Sequence, residues 1–150
     1  MTRRQTMPER WFVADERDRE LWRTIRKLPR GCGVLVLGET SSSERRRLRQ
    51  LGSLRRLAIV AEQPGAAVRV HNIAELRKAL LERTPVILLS PVYPTRSHPD
   101  RPPLPRMRAA ALAALADRRL IALGGMDSKR YAAVKPLGFV GWAGISAFRT

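Results

Sequence analysis

The chain has 150 residues, 44% hydrophobic and 28% charged, which suits one soluble domain with a real core. Its single cysteine, Cys32, excludes an internal disulfide and a thiolate metal cluster. The formal net charge of +16, with 25 of the 29 basic residues arginine, raises the question of a polyanionic partner. No stretch approaches the roughly 20 apolar residues of a membrane helix, so no membrane association is expected. The amino end, MTRRQTMPERW, lacks the apolar run of a secretory signal, so a cytoplasmic, reduced protein is expected.

In chain order, residues 1–10 read as a tail ahead of a domain spanning 11–150. WFVA (11–14) reads as a strand, and the helix after it places Leu21, Trp22, Ile25 and Leu28 on one face. VLVLG (34–38) follows, then SSSERRRLRQLG, where Ser41 and Glu44 fit a capping box and Gly52 a helix stop. LAIVA (57–61) and AAVRV (66–70) come next, then HNIAELRKALLER, with Asn72 and Glu75 again at capping-box spacing. VILLS (86–90), a helix near 106–117, RLIALGG (119–125), a short helix near 128–134 and FVGWAGI (139–145) complete the chain. Apolar strands alternating with helices predict an α/β fold, a parallel sheet covered by helices on its outside.

One connection breaks the pattern. Only EQPG separates Ala61 from Ala66, whereas a parallel crossover needs about a dozen residues or more. The expectation is seven strands, six of them parallel, with 57–70 turning tightly around Pro64-Gly65. Either these two strands form a hairpin, or a βα unit is missing between them.

Candidate chemistry gathers at the carboxyl ends of the last three strands. The loop PVYPTRSHPDRPP (91–103) is stiffened by prolines and carries Tyr93, Thr95, Ser97 and His98. Gly124-Gly125 end one later strand and Gly144-Ile145-Ser146 the other. Glycine lets backbone N–H groups approach an anion closely, and in α/β barrels the last two strand ends commonly hold a phosphate. His71, ending a strand before a capped helix, reads as a hydrogen-bonded structural residue. Trp11, Trp22 and Trp142 read as packing residues. Glu39 and Glu62 end the second and third strands, where a metal could bridge them. The arginine-rich run 44–56 lacks interleaved aromatics or a DNA-binding motif, so weak polyanion binding is expected and sequence-specific recognition is not.

SPVYPTRSH (90–98), IALGGM (121–126) and VGWAGISAF (140–148) resemble the thiamine-phosphate synthase/TenI family, with WFVADER (11–17) and VRVHNIAEL (68–76) agreeing more loosely. The resemblance implies a (β/α)8 barrel, here shortened or incomplete. It also implies an enzyme that joins hydroxymethylpyrimidine diphosphate to thiazole phosphate with Mg2+ assisting. By resemblance Thr95 and Ser97 match hydroxyls that hold the thiazole phosphate, Gly125 the family's phosphate-facing glycine, and Ile145 and Ser146 its final phosphate-binding pair, while Gly124 joins the candidate site as the neighbour of Gly125. His98 stands where the family has lysine, which keeps a donor but weakens the fixed charge.

The departures are equally specific. VLVLGETSSS lacks the family's Gln-x-Arg-x-Lys motif, Ala61-Glu62-Gln63 replaces its Asn-Asp pair, and the unit bearing its metal aspartate is absent. Pro91 stands where TenI tautomerases use histidine. The expectation is a divergent family member that binds a thiazole-phosphate or thiamine-phosphate type ligand, with its diphosphate and metal half-site lost. The alternatives are an active synthase requiring Mg2+ and a polyanion-associated scaffold. Thr95→Val and Gly125→Val are expected to weaken ligand binding while leaving stability nearly unchanged. An opened barrel is expected to form a homodimer or to cover its gap with residues 1–10.

Overall fold

A computed structural model describes residues 6–15, 17–96 and 98–149. Seven strands alternate with helices except between β3 and β4: β1 (Arg10–Asp15), α1 (Leu21–Lys27), β2 (Gly33–Leu37), α2 (Ser42–Arg55), β3 (Ala58–Ala61), β4 (Ala67–Val70), α3 (Ile73–Leu81), β5 (Val86–Leu89), α4 (Arg106–Leu115), β6 (Leu120–Leu123), α5 (Ser128–Val134) and β7 (Gly141–Gly144). A 3-10 turn, Ser146–Phe148, closes the chain. The sheet runs β3-β2-β1-β7-β6-β5-β4, and all six pairings are parallel. It curls into a nearly closed barrel with helices around it.

Alternation along each strand separates two environments. Trp11, Val13, Leu35, Val86, Leu88, Ile121 and Ala143 fill the barrel. Phe12, Val34 and Val36 face outward onto α1 and α2, while Val70, Ile87, Leu89, Leu120 and Ala122 meet α3, α4 and α5. Trp11 is 1% exposed and occupies the space beside Gly33, where an added Cβ would lie 2.3 Å from its ring. Its indole N–H donates to the Pro8 carbonyl at 2.8 Å. Trp142 is likewise buried, and Trp22 is half-buried.

The strand count of seven holds, but the direction of one strand and the hairpin option are corrected. β3 and β4 stand at opposite ends of the sheet order, and all seven strands run parallel. Barrel strands are tilted and therefore staggered along their length. Here β4 begins where β3 stops, through a turn in which the N–H groups of Ala66 and Ala67 donate to the Gln63 carbonyl at 3.0 and 3.3 Å. The chain steps sideways without returning, so no crossover helix is needed. A seam remains between β3 and β4, spanned by Arg69, whose guanidinium grips the Glu62 carboxylate at 2.6 and 2.9 Å.

Two further expectations change. Gly52 does not stop α2, which continues to Arg55 and ends at Arg56 in the left-handed conformation (φ 52°). Gly52 is instead a contact glycine, since an added Cβ would lie 2.9 Å from Ile59 of β3. The amino-terminal residues that are described do not cover the seam. The Glu9 carbonyl accepts from the Trp142 N–H at 2.8 Å, which holds this segment beside β1 and β7, at the middle of the sheet order. Residues 1–5 lie outside the described residues.

Candidate phosphate site at the barrel mouth

The four apolar residues of β5 are all buried, so the chain leaves the sheet only at Ser90, followed by a cis peptide to Pro91. The loop then folds over the end of β6. Val92 N–H donates to the Leu123 carbonyl at 2.9 Å and Tyr93 N–H to the Gly124 carbonyl at 3.1 Å. Leu104 N–H returns to the Pro91 carbonyl at 2.9 Å and closes the loop at its base. Proline at 91 and 94 fixes φ where these contacts are made.

Gly124 and Gly125 both have positive φ, 105° and 58°. An added Cβ on Gly124 would lie 2.9 Å from Pro91 Cα, and one on Gly125 would lie 2.3 Å from the Pro94 carbonyl oxygen. These glycines therefore let the β5 loop seat itself, a structural task that comes before any ligand. The expectation that Gly125→Val leaves stability unchanged is corrected on this geometry. The third strand end closes against the second, with the position of a Gly144 Cβ 3.1 Å from the Met126 carbonyl oxygen. Extending the register Leu123↔Ala143 sets Gly125 level with Ile145.

Ile145 is half-buried and Ser146 is exposed. Their turn is fixed from behind by Phe148, stacked on Trp142 at 5.1 Å and edge-on to Phe12 at 5.8 Å, and by Arg149, paired with Asp18 at 2.8 Å. Thr95 follows directly on the Pro94 carbonyl that rests on Gly125, and it is half-buried with a polar partner of its own. His98 is exposed farther along the loop, and Ser97 lies outside the described residues. The structure thus brings together Gly124, Gly125, Ile145 and the loop as far as Thr95.

A residue missed in the sequence stands at the same place. Arg130, in the first turn of α5, donates from its guanidinium to the Gly125 carbonyl and lies 5.0 Å from the centre of the Tyr93 ring. Asp127 caps this helix by accepting from the Arg130 N–H at 2.8 Å. The signal was available: Gly-Gly-Met-Asp-Ser-Lys-Arg places a capping aspartate three residues before an arginine. It was hidden by the other arginines.

The opposite side of the mouth is arranged differently. Both Glu62 oxygens face Arg69, so this carboxylate already has its cation, and Glu39 is exposed beyond β2. These two carboxylates are therefore not arranged to bridge a metal, the option that their strand-end positions had left open. His71 is structural as expected: its ring Nδ1 lies 2.7 Å from the Ser90 carbonyl oxygen, and its backbone N–H donates to Glu75 at 2.9 Å. Among the described residues, no helix is long and apolar enough to cross a membrane.

The family model for thiamine monophosphate synthase matches residues 53–148, from the end of α2 to the final turn. The chain belongs to the thiamine monophosphate synthase family. The match contains the β5 loop, both glycine-bearing strand ends and Arg130. Among solved structures, thiamine phosphate pyrophosphorylase from Pyrococcus furiosus superposes with a TM-score of 0.76 at 14% identity, covering 95% of this chain and 88% of that one. The pyrophosphorylase from Bacteroides thetaiotaomicron gives 0.59 at 14% identity, over 94% and 84%. At such identity the likeness is one of fold. No curated protein sequence matches the chain.

Proposed function

We propose that this family member is a cytoplasmic, divergent protein that binds a thiazole-phosphate or thiamine-phosphate type ligand at the mouth formed by the ends of β5, β6 and β7. One observation carries the reading. The β5 loop is hydrogen-bonded onto the β6 end at Leu123 and Gly124, which sets Thr95 and Arg130 around the Gly125 turn. A hydroxyl, a guanidinium and glycine-rich backbone beside Ile145-Ser146 form a donor-rich cradle for a phosphate monoester. Ser97 and His98 would extend this cradle from the same loop. The hydrogen bonds that already fix the loop lower the ordering cost of binding.

The diphosphate and metal half of the family's site has no equivalent support. Glu62 is held by Arg69, and neither the β2 loop nor the β3–β4 turn offers the family's motif. Without those groups a departing pyrophosphate lacks electrostatic stabilisation, so synthase turnover should fall at least about 10²-fold below an ordinary family member. The protein would work as a homodimer, joined where the sheet is open.

Calorimetry with thiazole phosphate and thiamine phosphate tests the ligand. Each charge-assisted hydrogen bond contributes roughly 1.5–3 kcal/mol, so Thr95→Val and Arg130→Gln should each weaken binding about ten-fold or more. Absence of heat from either phosphate at millimolar concentration would reject the reading.

A further inference from the structure

Several of the chain's arginines are engaged by the fold itself. The guanidinium groups of Arg55, Arg106 and Arg119 donate to the carbonyls of Leu28, Ala133 and Thr84, at 2.7, 3.0 and 2.9 Å. Arg47 lies 4.1 Å from the centre of the Trp22 ring, stacking α2 against α1. A different group on α2 has no such task. Ser42, Arg45, Arg46 and Arg49 fall on one face of the helix, are all exposed, and line an open groove of about 270 Å³. Among the described residues, no carboxylate is ion-paired with these three arginines. Glu44, their closest acid in sequence, accepts from the Ser41 N–H within the helix cap.

Arg47 fixes how this helix is turned. Its flank meets α1, so the face carrying Arg45 and Arg49, roughly 200° away around the helix, is directed toward solvent on the side of the β3 edge. We propose that this arginine face docks the phosphodiester backbone of a nucleic acid without reading its sequence. From Ser42 to Arg49 the face runs roughly 10 Å along the helix, so it meets successive phosphates of one strand. Guanidinium forks match phosphate oxygens in pairs. The groove is lined by no aromatic ring and no amide, so nothing in it would distinguish one base from another.

The same observations disfavour an acidic membrane surface. An interfacial helix sinks an apolar stripe beside its basic one. The exposed leucine of α2, Leu54, lies roughly 140° around the helix from Arg49, and no large apolar residue flanks the groove. None of the residues lining this groove lies at the ends of β5, β6 or β7, so the proposal stands independently of the phosphate ligand there.

The test titrates the full chain into a labelled duplex of about 20 base pairs, by fluorescence anisotropy, across a range of KCl concentrations. The patch variant is R45Q/R46Q/R49Q, and the charge-matched control is R77Q/R108Q/K129Q, taken from exposed positions on α3, α4 and α5. Each phosphate contact contributes about 0.9 to the slope of log K against log salt, so the patch variant should lower it by about 2–3. Its binding near physiological salt should weaken at least about ten-fold, while the control keeps the slope. R45K/R46K/R49K, which keeps the charge but not the paired donors, should keep the salt slope and bind more weakly than the parent. Equal losses in both glutamine variants would overturn the proposal in favour of diffuse charge. Patch-dependent binding to anionic phosphatidylserine vesicles without binding to the duplex would overturn it in favour of a membrane.

Discussion

Gly125 carries two constraints at once, a φ of 58° and a carbonyl oxygen 2.3 Å from where a Cβ would stand. A side chain there must push the β5 loop off the barrel, so Gly125→Val should destabilise the fold by about 2 kcal/mol or more, read by denaturant unfolding. Loss of ligand binding in that variant would therefore say little about phosphate contact, which Thr95 and Arg130 report better. A glycine pair was visible in the sequence as a special backbone. What it accommodates was not, because a tight turn, an anion and a neighbouring loop ask the same thing of glycine. A second residue-scale expectation concerns alkaline pH. Burial raises the Cys32 thiol above its ordinary 9.0, against a smaller opposing pull from Arg10, and burial followed by Glu9 raises the Tyr131 phenol above 10.0. The neutral forms are the folded ones. Their contribution is therefore fully present below those ordinary values and is lost as pH rises through the folded ones. Stability should be flat near neutrality and fall in that alkaline window, and Cys32→Ala with Tyr131→Phe should flatten the fall in a pH series of thermal melts.

At the scale of elements, apolar alternation and capping signals made most of the architecture readable. Ser41 and Glu44 do form both halves of a capping box. Asn72 accepts from the Glu75 N–H, but the Glu75 carboxylate reaches back to the His71 N–H. Connection length alone gives the wrong direction for the β3–β4 step, because the stagger of a barrel is a property of all its strands together. The Arg69–Glu62 pair is where that stagger is tied. It is bidentate yet partly exposed, with side chains 37% and 24% accessible, so screening limits its contribution to about 1 kcal/mol. Arg69→Met should lower stability by about that amount and speed hydrogen exchange at the β4 amides more than elsewhere. Uniform exchange throughout the sheet would mean that the pair does not hold the seam.

The whole molecule sets two tendencies against each other. A barrel one unit short leaves β3 and β4 with unpaired edges, and free edges favour association. Leu81 on α3, 84% exposed, stands on one of the two helices that border the seam, whereas Leu54 on α2 shares the Arg47 flank that meets α1. Against this, a net charge of +16 makes two copies repel. Repulsion acts through solvent and weakens as the Debye length shrinks from about 10 Å at 0.1 M salt to about 3 Å at 1 M. Burial of apolar surface has no such dependence on screening. The homodimer should accordingly be favoured by added salt, which is opposite to the response of nucleic-acid docking on α2. Sedimentation velocity at rising NaCl should show the monomer giving way to a dimer. Leu81→Lys should keep the chain monomeric throughout, since it adds charge and removes an apolar contact together. A chain that stays monomeric at about 0.5 M salt and about 100 μM protein would show that the seam is closed well enough by Arg69 and its own flanking side chains.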